Sequence, residues 1–285
     1  MRKHTLREAL RGSLTPGEIA RLYSGFDVVG DIAVLRVHEN LWTKRELIGE
    51  TVLKLHGHVR TVLCQTGPVS GLYRLRRLEW VAGEKRSETV HREHGCLFKL
   101  DLAKTYFSPR LQHERARVAE LIKPGETVLN MFAGVGCFSI IIAKHSQASK
   151  VYSIDVNPEA LKYMEENVWL NRVHGKVVPI LGDAAKVIEK SLAGASNRVL
   201  MPLPELAYQY LKSAVVGLNS AGGWIHYYDF VHAGKDEDPG EKVASRAAGK
   251  LGSLVAGFQI PVKRVVRNVG PNWYQVVLDI QVTKD

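Results

Sequence analysis

Residues 128–140 read VLNMFAGVGCFSI, and the fold turns on how this stretch is read. An apolar run breaks at Gly134 and Gly136, one residue apart, and becomes apolar again from Cys137. The pattern predicts a strand, a glycine turn and a helix, an arrangement used where backbone must come close to a ligand. Two spaced glycines alone are equally compatible with a plain tight turn, so the flanking sequence has to decide.

From Ser108 onward strand-like and helix-like segments alternate. PRLQHERARVAELIK (109–123) reads as a helix capped by Ser108 with Pro109 at its first position. PGETVLNMF is turn and strand, CFSIIIAKHS helix, KVYSIDV strand, PEALKYMEENVWLNRV helix and VVPILGD strand. RVLMPLP, ELAYQYLKSAVVGL, GGWIHYYDF and EKVASRAAGKLGSLVAG continue the alternation. KRVVRNVGPNWYQVVLDIQV closes it as a hairpin around Gly270-Pro271-Asn272. Such alternation predicts a doubly wound α/β fold, a parallel sheet with helices on both faces and an antiparallel edge. The preceding residues are mixed. TPGEIARLY carries a helix start at Thr15, Pro16 and Glu18, FDVVGDIAVLRV reads as strand-turn-strand, and a second helix is expected over Arg45–His56. Short strands are expected around VRTVLCQ, SETVHREHG and CLFKLDL. The expected organisation is a small α/β domain over residues 1–103 and a larger domain over 104–285.

Composition bounds the function. Of 285 residues, 45% are hydrophobic and 24% charged, which is ordinary globular usage. No apolar run reaches membrane-spanning length and the charged start lacks a secretory signal, so a soluble cytoplasmic protein is expected. Cys64, Cys96 and Cys137 are widely spaced and odd in number, which argues against a disulfide framework or a structural zinc site; no metal is expected. The net charge of +10 points to a polyanionic partner. Residues 54–92 hold eight Lys/Arg against three Glu, which is either a solvated face or part of a nucleic-acid surface.

The strand ends narrow the ligand. A dinucleotide site would want a third glycine in G-x-G-x-x-G, and here Ser139 takes its place. The second strand ends in Asp155, 21 residues after Gly134, where a carboxylate can accept both ribose hydroxyls of an adenosine. The third ends in Asp183, positioned for an adenine amino group, and the fourth runs into MPLP (201–204), where a substrate base could meet the cofactor. Any one of these acids is commonly a helix cap. Together they fit S-adenosylmethionine, which carries no phosphate, better than a nicotinamide.

Several stretches are similar to the archaeal and eukaryotic tRNA (guanine-N1)-methyltransferases that act at position 37, beside the anticodon. They are GLYRLRRLEWVAGE (71–84), TVHREHGCLFKLDLAKTYFSPRLQHER (89–115), VLNMFAGVGCFS (128–139), SIDVNPEA (153–160), RVLMPLPELA (198–207) and IHYYDFVHA (225–233). The resemblance covers roughly residues 70–285. It implies a class I methyltransferase domain behind a smaller α/β domain that helps hold tRNA. Guanine N1 carries a proton, so the reaction needs a base at N1 and a cationic donor at O6. By motif position the base is Glu114 and the O6 partner Arg74. From spacing alone Glu114 reads as a helix ion pair with Arg117 or Arg110, and Arg74 as part of a basic face. The resemblance implies cofactor contacts from Tyr106, Arg110, Phe132, Ala133, Gly134, Gly136, Asp155, Val156, Asp183, Ala184 and Pro202. It implies substrate contacts from Arg74, Pro202, Leu203, Pro204 and Tyr228, although packing is the plainer reading of Tyr228.

Three departures from the family pattern stand out. Asn130 replaces the usual Asp at the end of the first strand. The N-terminal module with which many relatives touch the outer corner of tRNA is expected to be absent. Pro202 replaces the Asn of an N-L-P turn and offers neither amide nor N–H. An archaeal subgroup with Pro at this turn is associated with methylating C7 of 4-demethylwyosine, which is the second reaction the resemblance leaves open. The expected protein is a monomer acting on tRNA, with no membrane or protein partner. Two alternatives are an aminocarboxypropyl transferase of the wybutosine pathway using the same cofactor, and a non-catalytic tRNA-binding protein. FSPR and MPLPELA resemble the methyl transferases more, and joint retention of Glu114, Arg74, Asp155 and Asp183 speaks against a silent scaffold.

Overall fold

The computed structural model describes residues 5–284. The chain divides into two compact units, the first ending at Arg110 and the second beginning at Leu111.

In the first unit, α1 (Leu6–Leu10) and α2 (Pro16–Arg21) each start with a capping box, from Thr5 with Glu8 and from Thr15 with Glu18. The Thr15 start follows the sequence reading; α1 was not foreseen, because its five residues span little more than one turn of apolar periodicity. Strands β1 (Asp27–Val29), β2 (Ile32–Leu35), β3 (Thr61–Gln65) and β4 (Leu78–Gly83) form a sheet in that order. The β2–β3 pair is parallel, so α3 (Arg45–Leu55) makes the crossover between them. Leu10, Leu41, Ile48, Val52 and Val62 fill the core between helices and sheet. Strand β4 has a burial pattern that departs from alternation, and sequence reading passed over it. Strands β5 (Glu88–Glu93) and β6 (Cys96–Asp101) make a separate antiparallel ribbon.

The second unit holds one seven-stranded sheet. Its strands are β7 (Thr127–Asn130), β8 (Lys150–Asp155), β9 (Val177–Leu181), β10 (Arg198–Met201), β11 (Gly223–His232), β12 (Gly257–Gly270) and β13 (Trp273–Thr283). The order is β12-β13-β11-β10-β7-β8-β9. Pairs β9–β8, β8–β7, β7–β10 and β10–β11 are parallel, whereas β13 runs antiparallel to both β11 and β12. Helices α4 (Gln112–Glu120), α5 (Cys137–His145), α6 (Pro158–Leu170), α7 (Ala184–Val187), α8 (Pro204–Gly217) and α9 (Pro239–Leu251) complete the unit. The expected start of the first of these is corrected: residues 109–111 form a 3-10 turn, α4 begins at Gln112, and its cap is Leu111 without a side-chain bond. The topological switch lies at β7, whose neighbours β8 and β10 are reached by crossovers in opposite directions, so a crevice opens at their carboxyl ends.

Candidate functional site

Strand β7 delivers the glycine turn to that crevice. Met131 N–H donates to Leu200 O at 3.0 Å and Ala133 N–H to Ile154 O at 2.8 Å, tying the turn to both neighbouring strands. Gly134 (φ 57°) and Gly136 (φ 90°) are both left-handed, a conformation that costs a side-chain-bearing residue about 1 kcal/mol or more. A Cβ on Gly136 would also lie 2.9 Å from Met164 Cγ and 3.1 Å from Ile140 Cδ1. Beneath the turn Asn130 is buried and its amide donates to Ser139 Oγ at 3.1 Å, with Ser153 Oγ 2.7 Å from the same oxygen. A carboxylate could not make that donation, which gives the Asn at this strand end a structural use.

Two carboxylates flank the turn. Asp155 Oδ2 accepts from Gly134 N–H at 2.6 Å and Oδ1 from Asn157 N–H at 2.9 Å. Burial pushes its carboxyl above the ordinary value, partly offset by these backbone donors. Val156 beside it is half-buried. Asp183 caps α7 by accepting from Lys186 N–H at 3.1 Å, and its other oxygen accepts from the Tyr210 hydroxyl. Burial and that carboxylate together push the Tyr210 phenol up to about 12, so it remains a neutral donor. Tyr210 also meets the Phe132 ring edge-on at 5.2 Å. Phe132, Tyr210 and Asp183 thus form one connected wall, and Ala184, next along the chain, is buried. Tyr210 was not singled out in the sequence; only its place on α8, 27 residues from Asp183, could have signalled it. The turn after β10 is built from prolines. Pro204 opens α8, where a missing N–H costs nothing, while Pro202 and Leu203 are half-buried and bring no side-chain hydrogen-bonding group.

A second cluster lies along α4, β11, β12 and β13. Glu114 is 2% exposed. Its Oε1 accepts from Arg117 Nε (3.0 Å) and Nη2 (2.7 Å) and from the Tyr228 hydroxyl (2.8 Å), while Oε2 accepts from Arg264. The Arg117 ion pair named as the plain reading of Glu114 is therefore present. The Arg117 guanidinium also donates to Asp279, at 2.6 Å to Oδ2 and 3.1 Å to Oδ1. Asp279 Oδ1 lies 2.6 Å from His226 Nδ1, and His226 Nε2 lies 2.8 Å from Arg198 Nη1. Arginine can only donate, so Nε2 accepts and Nδ1 carries the proton to Asp279. Burial holds His226 below its ordinary value despite Asp279. Burial would raise Asp279, but bonds from His226 and Arg117 prevail and hold it well below the carboxylate range. Arg198 ends the chain on Glu126, through bonds of 2.8 and 3.1 Å. Tyr228 is 1% exposed, with its ring 6.2 Å from that of Phe138. Its ring is packed in the unit and its hydroxyl is given to Glu114. Asp279 was missed, although a lone acid in the otherwise apolar run VVLDI (276–280) was the available signal. Arg264 gave no signal at all.

The first unit holds the other expected residues. Ser70 and Leu75 pair across a tight turn whose tip carries Leu72 and Tyr73, 69% and 39% exposed. Arg74 closes it with φ 54°, and its guanidinium lies over the Tyr106 ring at 5.0 Å. The structure thus joins Arg74 and Tyr106. Arg110 pairs with Asp27 at 2.8 Å. Arg76, from the basic stretch, is also bound to Asp27 and to Phe107 O, so it is structural. All three cysteines are buried thiols, no metal-binding cluster occurs among the described residues, and none of their helices is long and apolar enough to cross a membrane.

The strand order with its reversed last hairpin, the glycine turn with Ser139 in place of a third glycine, the acids after the second and third strands and the family match define an S-adenosylmethionine-dependent methyltransferase of class I. Residues 89–252 match the TRM5/TYW2 methyltransferase domain and residues 6–86 the TYW2 N-terminal domain. The chain belongs to the TRM5/TYW2 methyltransferase family, and the likeness begins well before residue 70, where the sequence motifs had placed it. It is 40% identical over 269 residues to the tRNA (guanine(37)-N(1))-methyltransferase Trm5b of Pyrococcus abyssi, spanning 94% of this chain and 78% of that one. It is 38% identical over 261 residues to the tRNA 4-demethylwyosine(37)-methyltransferase Taw21 of Saccharolobus solfataricus, spanning 91% and 94%. Among solved structures, aTrm5 in complex with tRNALeu matches with TM-score 0.84 at 33% identity, over 99% of this chain and 79% of that one. TYW2 of P. horikoshii in complex with MeSAdo matches with TM-score 0.79 at 28% identity, over 98% of each.

Proposed function

We propose that this protein is a cytoplasmic, monomeric enzyme that methylates N1 of guanine at position 37 of tRNA, with Glu114 as general base. The observation that carries the reading is a carboxylate 2% exposed whose partner Tyr228 packs on Phe138, the second residue of the helix leaving the glycine turn. A catalytic carboxylate so placed is supported on fixed elements, as a base must be. S-adenosylmethionine, when bound, supplies an electrophilic methyl group on sulfur. Gly134 and Gly136 give its methionine portion room, Asp155 accepts from its ribose, and Phe132, Tyr210 and Asp183 wall its adenine. Glu114 takes the N1 proton as the N1–carbon bond forms and the carbon–sulfur bond breaks, the pair staying on sulfur. Arg74 donates to O6, where charge develops, and its stacking on Tyr106 keeps the guanidinium in one orientation. Residues 1–103, rich in Lys and Arg, contribute to holding the anticodon region of the tRNA and supply Arg74, and residues 104–285 carry the base and the cofactor contacts.

Pro202 favours a second substrate. A turn without an amide makes no polar demand on the base, so the tricyclic 4-demethylwyosine, methylated at C7, fits there as well as guanine. The similarity to Taw21 supports the same reading. Labelled cofactor should mark tRNA bearing guanine at position 37 and leave an adenine-37 transcript unmarked; equal labelling would end the N1 reading. Formation of S-adenosylhomocysteine rather than methylthioadenosine separates methyl from aminocarboxypropyl transfer. Glu114→Gln should lower kcat by roughly 10²–10⁴-fold while tRNA still binds.

A further inference from the structure

The two oxygens of Glu114 are not equivalent. Oε1 is fixed from inside, by Arg117 and Tyr228, and Arg117 is itself anchored through Asp279, His226 and Arg198 to Glu126. Oε2 has Arg264 as its partner, from the edge strand β12. The Arg264 side chain is 43% exposed, against 1% for that of Glu114. Oε1 already takes three donors, so a proton has to come to Oε2, where the Arg264 cation lowers the carboxylate's basicity and occupies one of the two acceptor sites; the solvent-facing partner is the one free to move.

The strand supplies a destination. Arg264 pairs across to Val277 and Arg267 to Gln275, with a register shift between Val265 and Arg267 that leaves Val266 as the extra residue. Val277 and Gln275 share one face of β13 with Asp279, so the bulge turns both arginines to the face that carries the Glu114 cluster. Arg267 donates to the neutral Gln275 at 2.7 Å, which leaves its charge uncancelled there, whereas Lys263 is paired with Glu241. We infer that Arg264 guards Glu114 in the free enzyme and, on tRNA docking, exchanges Oε2 for a backbone phosphate held jointly with Arg267. Guard release then couples substrate arrival to exposure of the base. This rests on the reading of Glu114 as the base.

The groups facing Glu114 are Arg117 from α4, Tyr228 from β11 and Arg264 from β12, with Asp279 of β13 behind Arg117; Arg115 lies over the Phe138 ring. Removing Arg264 takes one cation from the carboxylate in the free enzyme alone. In Arg264→Gln the acid limb of kcat/KM for tRNA should therefore move up by roughly one pH unit, while the acid limb of kcat stays in place. Arg264→Lys should restore the limb. The salt dependence of tRNA binding should lose about 0.7–0.9 in log–log slope for Arg264→Gln, one phosphate's worth. Glu114→Gln supplies a readout without turnover: it releases Arg264 beforehand, so tRNA should bind up to about fivefold more tightly, and Arg264→Gln in the same chain should cancel the gain. Both limbs moving together, neither moving, or an unchanged salt slope would overturn the exchange. Full turnover by Glu114→Gln would instead remove the base assignment, and the binding measurements would still judge the exchange by themselves.

Discussion

Asp155 and Glu114 are two carboxylates of the same unit, each withdrawn from solvent, and they are held by opposite means. Asp155 rests on main-chain N–H groups, from Gly134 and Asn157. Glu114 rests on side chains, two guanidiniums and a phenol. Backbone donors are set by the path of the chain and carry no formal charge, so Asp155 is positioned wherever the glycine turn forms. Guanidinium donors must be brought in from separate elements and must be balanced in turn, which is why the Glu114 cluster extends through Asp279 and His226 as far as Glu126. A carboxylate beside a turn can be fixed by the turn alone. A carboxylate fixed away from the turn requires a network.

The sharpest way to break this contrast is to cut the network in its middle. Asp279→Ala leaves Arg117 and His226 without their shared acceptor inside the protein. It should cost about 3–5 kcal/mol in urea unfolding, the usual penalty for a buried charge that loses its partner. A loss below about 1 kcal/mol would mean that the cluster tolerates a missing member and does not act as a unit. The corresponding change on the other side, Asp155→Ala, should act on the ligand. Loss of hydrogen bonds to a charged acceptor corresponds to roughly 10–100-fold weaker S-adenosylmethionine binding by calorimetry. A stability loss as large as that of Asp279→Ala, with unchanged cofactor affinity, would reverse the contrast.

The same difference explains what could be read from the sequence. Asp155 lies 21 residues from Gly134 and two from Asn157, inside a strand-turn-helix pattern whose period announces where each strand ends. Asp183 was legible for the same reason. The partners of Glu114 are 3, 114 and 150 residues away. Only Arg117, three residues on along the same helix, could be named beforehand. Tyr228, in IHYYDF, read as packing or as a substrate contact, and neither reading included the bond from its hydroxyl to Glu114, which no local pattern records. Arg264 depends on a bulge in an edge strand, and bulges leave no trace in alternation this irregular. Helix starts failed where no side chain announced them: α2 follows its Thr15 box, whereas α4 starts at Gln112 without a side-chain cap.

A smaller effect tests the network through pH. His226 is buried, and its folded-state value lies below the ordinary one, so the ring is neutral in the folded chain. Once pH falls below about 6.5 the unfolded chain binds a proton there that the folded chain does not. The stability gained by keeping this ring neutral is therefore full above that pH and is lost as pH falls toward the lowered value. The slope should approach about 1.4 kcal/mol per pH unit. Asp279, held low, contributes its own loss only below the ordinary carboxylate range near about 4, so of these two groups only His226 acts in the interval between. Urea unfolding of the wild type and of His226→Gln at matched pH should differ by this slope. Equal slopes would show that the ring does not stay neutral as Arg198 requires.

The smallest expected effect lies where Tyr210 joins Phe132 to Asp183 and asks whether Asp183 belongs wholly to the backbone-held class. One oxygen caps α7, as a local rule would have it, and the other takes the Tyr210 hydroxyl from another helix. Tyr210→Phe keeps the edge-on contact with Phe132 and removes only the hydroxyl. Loss of one neutral donor should cost about 0.5–1.5 kcal/mol of stability. Because the phenol stays protonated up to about 12, the cost should be the same from pH 6 to pH 9. Cofactor affinity should hardly change if the helix cap alone fixes Asp183. A fall in affinity approaching that of Asp155→Ala would place Asp183 with Glu114 instead, as an acid whose position depends on a partner from another element.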